Sequence, residues 1–162
     1  MKTALIVIDV QNYFMNEHTY FLPKKIAAHM DQTSYDVVAF TRFVNSSSSP
    51  FQKVFGWDKC IGSPDIDIVP ELQPYAKNVF EKNGFSVFRS SKLLSFLHQN
   101  AIQEVHLCGT DTEACVLSSA FDAFEAGFHV RILYDLCAST HGPAFHRAAR
   151  SILERNLEKP PG

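Results

Sequence analysis

Ala4-Leu5-Ile6-Val7-Ile8-Asp9 is a short apolar run that ends in an acid, and Gln11, Asn12 and Phe14 follow it closely. Five successive apolar residues, three of them β-branched, predict a strand buried on both faces. Strands of that kind belong to parallel sheets, where ligands bind outside the carboxyl ends of the strands. Asp9 stands at such an end, so a carboxylate is expected where the sheet puts its chemistry.

Outward from this strand the chain alternates strand-like and helix-like segments, which predicts a three-layer α/β/α, Rossmann-like domain with a mainly parallel sheet of five or six strands. Residues 10 to 22 read as a loop, and Lys24 to Gln32 as a short helix entered through Pro23. Strands are predicted at Val37 to Thr41, at Val79 to Glu81 ahead of Lys82-Asn83-Gly84, at Glu104 to Cys108 closed by Gly109, and at His129 to Tyr134 ending in Asp135. Between them, Lys92 to Gln99 has Leu93, Leu94, Phe96 and Leu97 on one helical side. Residues 113 to 126 carry Val116, Leu117, Ala120, Phe121 and Phe124 at helical spacing, with Gly127 as the stop. A last helix is expected from Pro143 to Asn156, followed by a tail, Lys159-Pro160-Pro161-Gly162, expected to fray. The long segment from Asn45 to Gln73, with serines at 46 to 49 and prolines at 50, 64 and 70, interrupts regular structure, and loops of that length are usually functional.

A length of 162 residues suits one domain, spanning 1–162, with a core that needs no disulfide or metal staple. Hydrophobic residues at 46% and charged ones at 20% match an ordinary globular chain and give no case for disorder or a membrane span. A net charge of −2 lacks the basic footprint of nucleic-acid binding, which excludes that class. The N-terminal apolar stretch is too short for a secretory signal and has no small-residue cleavage site, so a cytoplasmic location is expected. Fourteen Phe residues suggest aromatic packing or apolar surface covered by a subunit partner.

Cysteines stand at 60, 108, 115 and 137 without a C-x-x-C pair, so reduced thiols are the default. Cys115 lies in Gly109-Thr110-Asp111-Thr112-Glu113-Ala114-Cys115-Val116, where a strand exit runs into the first turn of a helix. Unpaired N–H groups and the positive helix end there favour a thiolate, and hence a nucleophile. The same N–H groups could bind an oxyanion. Asp111 and Thr112 are both candidates to cap the helix, and a cap on the Cys115 N–H would compete with that role. A buried cysteine acting as a small hydrophobe is the plain alternative, and for Cys60, Cys108 and Cys137 it is the better one. Asp9, Lys82 and Cys115 each occur where a strand meets its following segment, on one edge of the sheet.

The order of Asp9-Val10-Gln11-Asn12-Tyr13-Phe14, Thr41-Arg42, Glu81 through Phe88, Gly109 through Val116, Ser119 through Gly127 and Asp135 through Ser139 resembles the isochorismatase-like cysteine hydrolases over nearly the whole chain. The resemblance implies a catalytic triad of Asp9, Lys82 and Cys115, and a non-proline cis peptide at Thr110-Asp111. It implies a sheet of order 3-2-1-4-5, with Lys82 leaving an edge strand. It also implies an oxyanion site formed by backbone N–H groups near Asp111 and Cys115, and aromatic pocket walls at Phe14 and Trp57. For both aromatics ordinary packing is the alternative.

The family's nicotinamidases hold a metal through an Asp-x-His pair and a further His after the second strand. This chain has no His between His29 and His98, and His141 and His146 are not an i, i+4 pair, so no metal and no other cofactor is expected. The function this predicts is hydrolysis of a C–N bond in a small amide, ureido or carbamoyl compound, in the amidase-like branch that includes nicotinamidases and N-carbamoylsarcosine amidase. The expected partners are a small-molecule substrate and further copies of the chain, as a dimer or tetramer. The alternatives are a catalytically silent ligand-binding or assembly module of the same fold, and a thiol redox sensor using Cys115.

Overall fold

The computed structural model describes residues 1–158, so the 159–162 tail and its expected fraying lie outside the described residues. Five strands form one sheet: β1 (Thr3–Ile8), β2 (Val37–Phe43), β3 (Val79–Lys82), β4 (Glu104–Thr110) and β5 (His129–Ala138). Their order is β3-β2-β1-β4-β5 and every pairing is parallel. Ala4 through Ile8 are wholly buried at the centre of this sheet, as a continuous apolar run requires.

Five α-helices surround the sheet: α1 (Leu22–Gln32), α2 (Pro50–Phe55), α3 (Ser91–Gln99), α4 (Leu117–Glu125) and α5 (Pro143–Leu157). The chain steps outward from β1 to β2 and β3, then returns to β4 on the other side of β1. Because parallel crossovers are right-handed, this reversal carries helices to both faces and opens a crevice at the carboxyl ends of β1 and β4. No helix among the described residues is long and apolar enough to cross a membrane.

Several elements differ in extent from the sequence expectation. The segment after Asn45 is partly helical: Ser49 Oγ accepts the Gln52 N–H, Pro50 occupies the first turn, and Gly56 closes α2 at φ 66. β5 runs on past Asp135 to Ala138, because a register shift between Leu107 and Gly109 lets Cys137 and Ala138 pair with Gly109 and Thr110. β4 likewise continues through Gly109, whose φ of 120 and close approach to Ile8 only a glycine allows. The helix expected from 113 begins as a π-turn at Thr112–Val116, in which Val116 N–H bonds Asp111 O and Leu117 N–H bonds Thr112 O. That wider turn sets the phase of α4, so Val116, Ala120 and Ala123 face the core while Phe124 is 57% exposed.

Candidate active site

Asp9 leaves β1 in the left-handed region at φ 51, a conformation that Asp tolerates better than most residues. Its N–H donates to the Thr41 carbonyl at 3.2 Å and also lies 3.3 Å from Thr41 Oγ1. The Thr41 hydroxyl donates to Asp9 Oδ1 at 2.8 Å, and the Thr110 hydroxyl donates to the Asp9 carbonyl at 3.0 Å. Two neighbouring strands thus fix the backbone and one oxygen of this buried carboxylate. The other oxygen, Oδ2, stands 2.7 Å from Lys82 Nζ as an ion pair and has no aligned hydrogen-bond donor of its own.

Lys82 ends edge strand β3, opposite Phe43 of β2, and its long side chain must cross β2 to reach the crevice. It does so over the Phe43 ring, with Nζ 5.3 Å from the centroid. The ammonium donates to the Gly84 carbonyl at 2.7 Å and approaches Cys115 Sγ at 3.4 Å. Burial works against the charged lysine, but the Asp9 carboxylate and then the Cys115 sulfur outweigh it and hold its pKa above the ordinary lysine value. At Cys115, burial is the largest influence and the Asp9 charge the next, and both push the thiol pKa up; Lys82 opposes them. Burial and Asp9 thus favour the thiol form of Cys115, whereas a helix start alone would favour a thiolate.

The turn carrying Cys115 follows a cis peptide at Thr110-Asp111. Neither capping candidate caps it. The Asp111 carboxylate turns to Thr140, accepting its N–H and its hydroxyl at 2.7 Å each. Thr112 Oγ1 pairs with His146 Nδ1 at 2.8 Å. The Asp111 carbonyl takes the N–H groups of Ala114 and Val116, not that of Cys115. Cys115 itself is partly buried.

Beside this turn lies a cavity of about 380 Å³, walled on one side by Tyr13, Phe14 and Trp57 and on another by Asp111 and His141. Tyr13 meets Phe14 and Trp57 edge to face at 5.4 and 5.6 Å, and Trp57 packs 5.8 Å from Phe43, the ring beneath Lys82. The 3-10 turn at Asn12–Phe14 is anchored by Gln11, which accepts the Phe43 N–H at 2.7 Å and donates to the Phe43 carbonyl at 2.9 Å. The structure thus brings Asp9, Lys82 and Cys115 together and sets Phe14 and Trp57 on a neighbouring cavity.

Residues 3–158 match the family model described as an isochorismatase domain. The chain belongs to the isochorismatase family. It is 30% identical over 159 residues to nicotinamidase 3 of Arabidopsis thaliana, covering 90% of this chain and 77% of that protein. The crystal structure of the nicotinamidase PncA from Bacillus subtilis superposes with a TM-score of 0.82 at 27% identity, covering 98% of this chain and 97% of that one. N-carbamoylsarcosine amidase from Thermoplasma acidophilum also reaches 0.82, at 22% identity with coverage of 98% and 94%, a likeness that speaks for the fold. The chain is accordingly an isochorismatase-like hydrolase, and relatives named as nicotinamidases are enzymes of C–N bonds.

After β2, where the resemblance implies a histidine in the family's nicotinamidases, this isochorismatase-family site carries no imidazole. Asn45 stands there, with its amide donating to the carbonyls of Trp57 and Lys59 and its oxygen taken by Ser46 N–H and Ser49 Oγ. Every polar atom of that side chain is committed to protein, and no imidazole is nearby in sequence. Asp111, Glu113 and His141 bring three potential ligand atoms within 4.8 Å, but Thr140 and Ser139 already bond the two carboxylates.

Several residues of the site carried no role in the sequence reading. Thr41 orients Asp9, Gly84 offers its carbonyl to Lys82, Tyr13 joins the cavity wall, and Thr140 draws away the Asp111 side chain. Thr41, Tyr13 and Gly84 had a signal, since all three lie in stretches that carry the resemblance. Thr140 had none, because it acts from a distant loop.

Proposed function

We propose that this isochorismatase-like hydrolase is a metal-independent cysteine amidase that cleaves a C–N bond of a small amide, ureido or carbamoyl compound. The observation that carries this reading is the Lys82 ammonium, buried between Asp9 Oδ2 at 2.7 Å and Cys115 Sγ at 3.4 Å. A carboxylate, an ammonium and a thiol in that arrangement make an activated nucleophile with its base.

In the reaction, Asp9 takes the Cys115 proton as sulfur attacks the substrate carbonyl, so the thiolate forms only when it is needed. Lys82 holds the forming thiolate by charge. Backbone N–H groups at the head of the π-turn, that of Cys115 among them, stabilise the tetrahedral oxyanion. The C–N bond breaks as Asp9 returns the proton to the departing nitrogen, releasing ammonia or an amine. Water, deprotonated by Asp9, then cleaves the thioester to a carboxylic acid and restores the thiol. Phe14 and Trp57 serve as walls for a flat substrate, and the committed Asn45 side chain favours a reaction without a metal. A cytoplasmic enzyme assembled from several copies fits the exposed rings of Phe55, Phe85 and Phe124.

Ammonia release from a panel of small amides, with wild type beside Cys115→Ala and with and without chelator, tests this. Turnover that Cys115→Ala abolishes and chelator spares supports it. Turnover that survives in Cys115→Ala, or that chelator removes, overturns it.

A further inference from the structure

We infer that a second copy of this chain docks on the groove between α2 and α4, about a two-fold axis that sets Arg89 of each copy against Asp122 of the other. The inference rests on the assembly of several copies proposed above and names the face that makes it. The groove is a cavity of about 440 Å³ lined by Phe51, Phe55 and Phe85 together with Gly84, Arg89 and Asp122. Phe55 is 74% exposed and Phe85 51%, and Val54, next to Phe55 on α2, is 71% exposed. Large rings gathered around one opening and edged by polar groups mark a surface that another molecule covers. The patch is also preformed. Phe85 packs edge to face on Phe51 at 5.1 Å, and Phe51 on the buried Phe43 at 5.0 Å, so the outer rings stand on the core.

The charges choose the occupant. Among the described residues lining the groove, only Arg89 and Asp122 are charged, and neither takes part in an ion pair. A groove that holds one unanswered cation and one unanswered anion is complementary to itself. A two-fold rotation brings the guanidinium of each copy to the carboxylate of the other, and the two contacts are identical by symmetry. A uniformly acidic or basic partner would answer one of these charges and set its like against the other.

This face reaches the chemistry through Gly84. Its carbonyl accepts from Lys82 Nζ at 2.7 Å, and the next residue is the exposed Phe85. Covering Phe85 therefore steadies the segment that holds Lys82. The Val87 N–H donates to Ser119 Oγ of α4 at 3.0 Å, which ties the two sides of the groove into one rigid docking surface.

Sedimentation velocity of the wild type, of Arg89→Asp, of Asp122→Arg and of an equimolar mixture of the two variants tests this. The wild type should sediment as a dimer at micromolar concentration. Each variant alone sets like charges against each other at both contacts, and its dimer affinity should fall by at least about tenfold. The mixture should return to dimers, because every contact in the mixed pair again joins an acid to a base, and that recovery also shows both variants to be folded. A monomeric wild type overturns the proposal, as does a dimer that either variant leaves intact or a mixture no more dimeric than its components. Ammonia release from the same samples keeps the hydrolase reading separate: monomers that turn over an amide remove the two-fold and leave the enzyme, and dimers that mix as expected without turnover do the reverse.

Discussion

Lys82 Nζ and Asp9 Oδ2 stand 2.7 Å apart in side chains that are 1% and 0% exposed. Removing one member of such a pair strands the other charge in the interior, which typically costs about 3–5 kcal/mol. Lys82→Met is therefore expected to lower the urea midpoint strongly, and adding Asp9→Asn should recover part of the loss. Equal midpoints for wild type and Lys82→Met would show that the two charges do not depend on each other.

Asp9 and Lys82 pull the Cys115 thiol in opposite directions, with burial siding with Asp9. At neutral pH the wild-type thiol should alkylate more slowly than a free cysteine and speed up as pH rises. Asp9→Asn leaves Lys82 as the charge facing the sulfur, so alkylation at pH 7 should quicken while amide turnover falls by about 10²–10⁴. Mass spectrometry of the alkylated peptide beside an ammonia assay separates the two effects. An Asp9→Asn protein with full turnover would remove Asp9 from the role of base.

At Gly109 an added Cβ would fall 2.1 Å from the Ile8 carbonyl oxygen, at a backbone φ of 120. Gly109→Ala must push β4 away from β1 next to Asp9, and should destabilise by more than about 1 kcal/mol. Thermal melting is the check, with an unchanged Tm as the contrary outcome.

Stability should also fall in mild acid. Burial and then the neighbouring His106 lower the His29 pKa below its ordinary 6.5, and burial and then Arg150 do the same at His146. The unfolded chain therefore takes up protons first as pH drops, so the stability present above about 6.5 is lost as pH falls through the folded-state values. Urea midpoints at pH 7.5 and 5.5 measure this, and His29→Gln with His146→Gln should narrow the difference.

The sheet was legible because its signal is local. An unbroken apolar run at Ala4 to Ile8 has one physical solution, and the order 3-2-1-4-5 that the family resemblance implied is the order observed. α2 was missed although Ser49, Pro50 and Gly56 form an ordinary start and stop, because the surrounding serines and prolines read as loop. The end of β5 was misjudged at Asp135 because a register shift leaves no mark in the pattern of one strand. Within the site, the acid, lysine and cysteine could be named from motifs, yet their ionisation could not. The helix-start argument pointed to a thiolate at Cys115, and burial beside Asp9 reverses it. The Asp111–Thr140–His141 wall was illegible because it joins loops after β4 and β5 that share no sequence pattern.

The sheet's order also bears on how the chain is made. β1 is a central strand, but one of its two partners, β4, joins it through contacts such as Thr110 to Asp9, 101 residues apart in sequence. On a growing chain, β2 can cover one side of Ala4–Ile8 early, while the other side waits as an unpaired apolar edge until β4 is synthesised. Ribosome-bound chains ending before residue 104 should therefore recruit chaperones that bind extended hydrophobic segments, and release them once β4 has emerged.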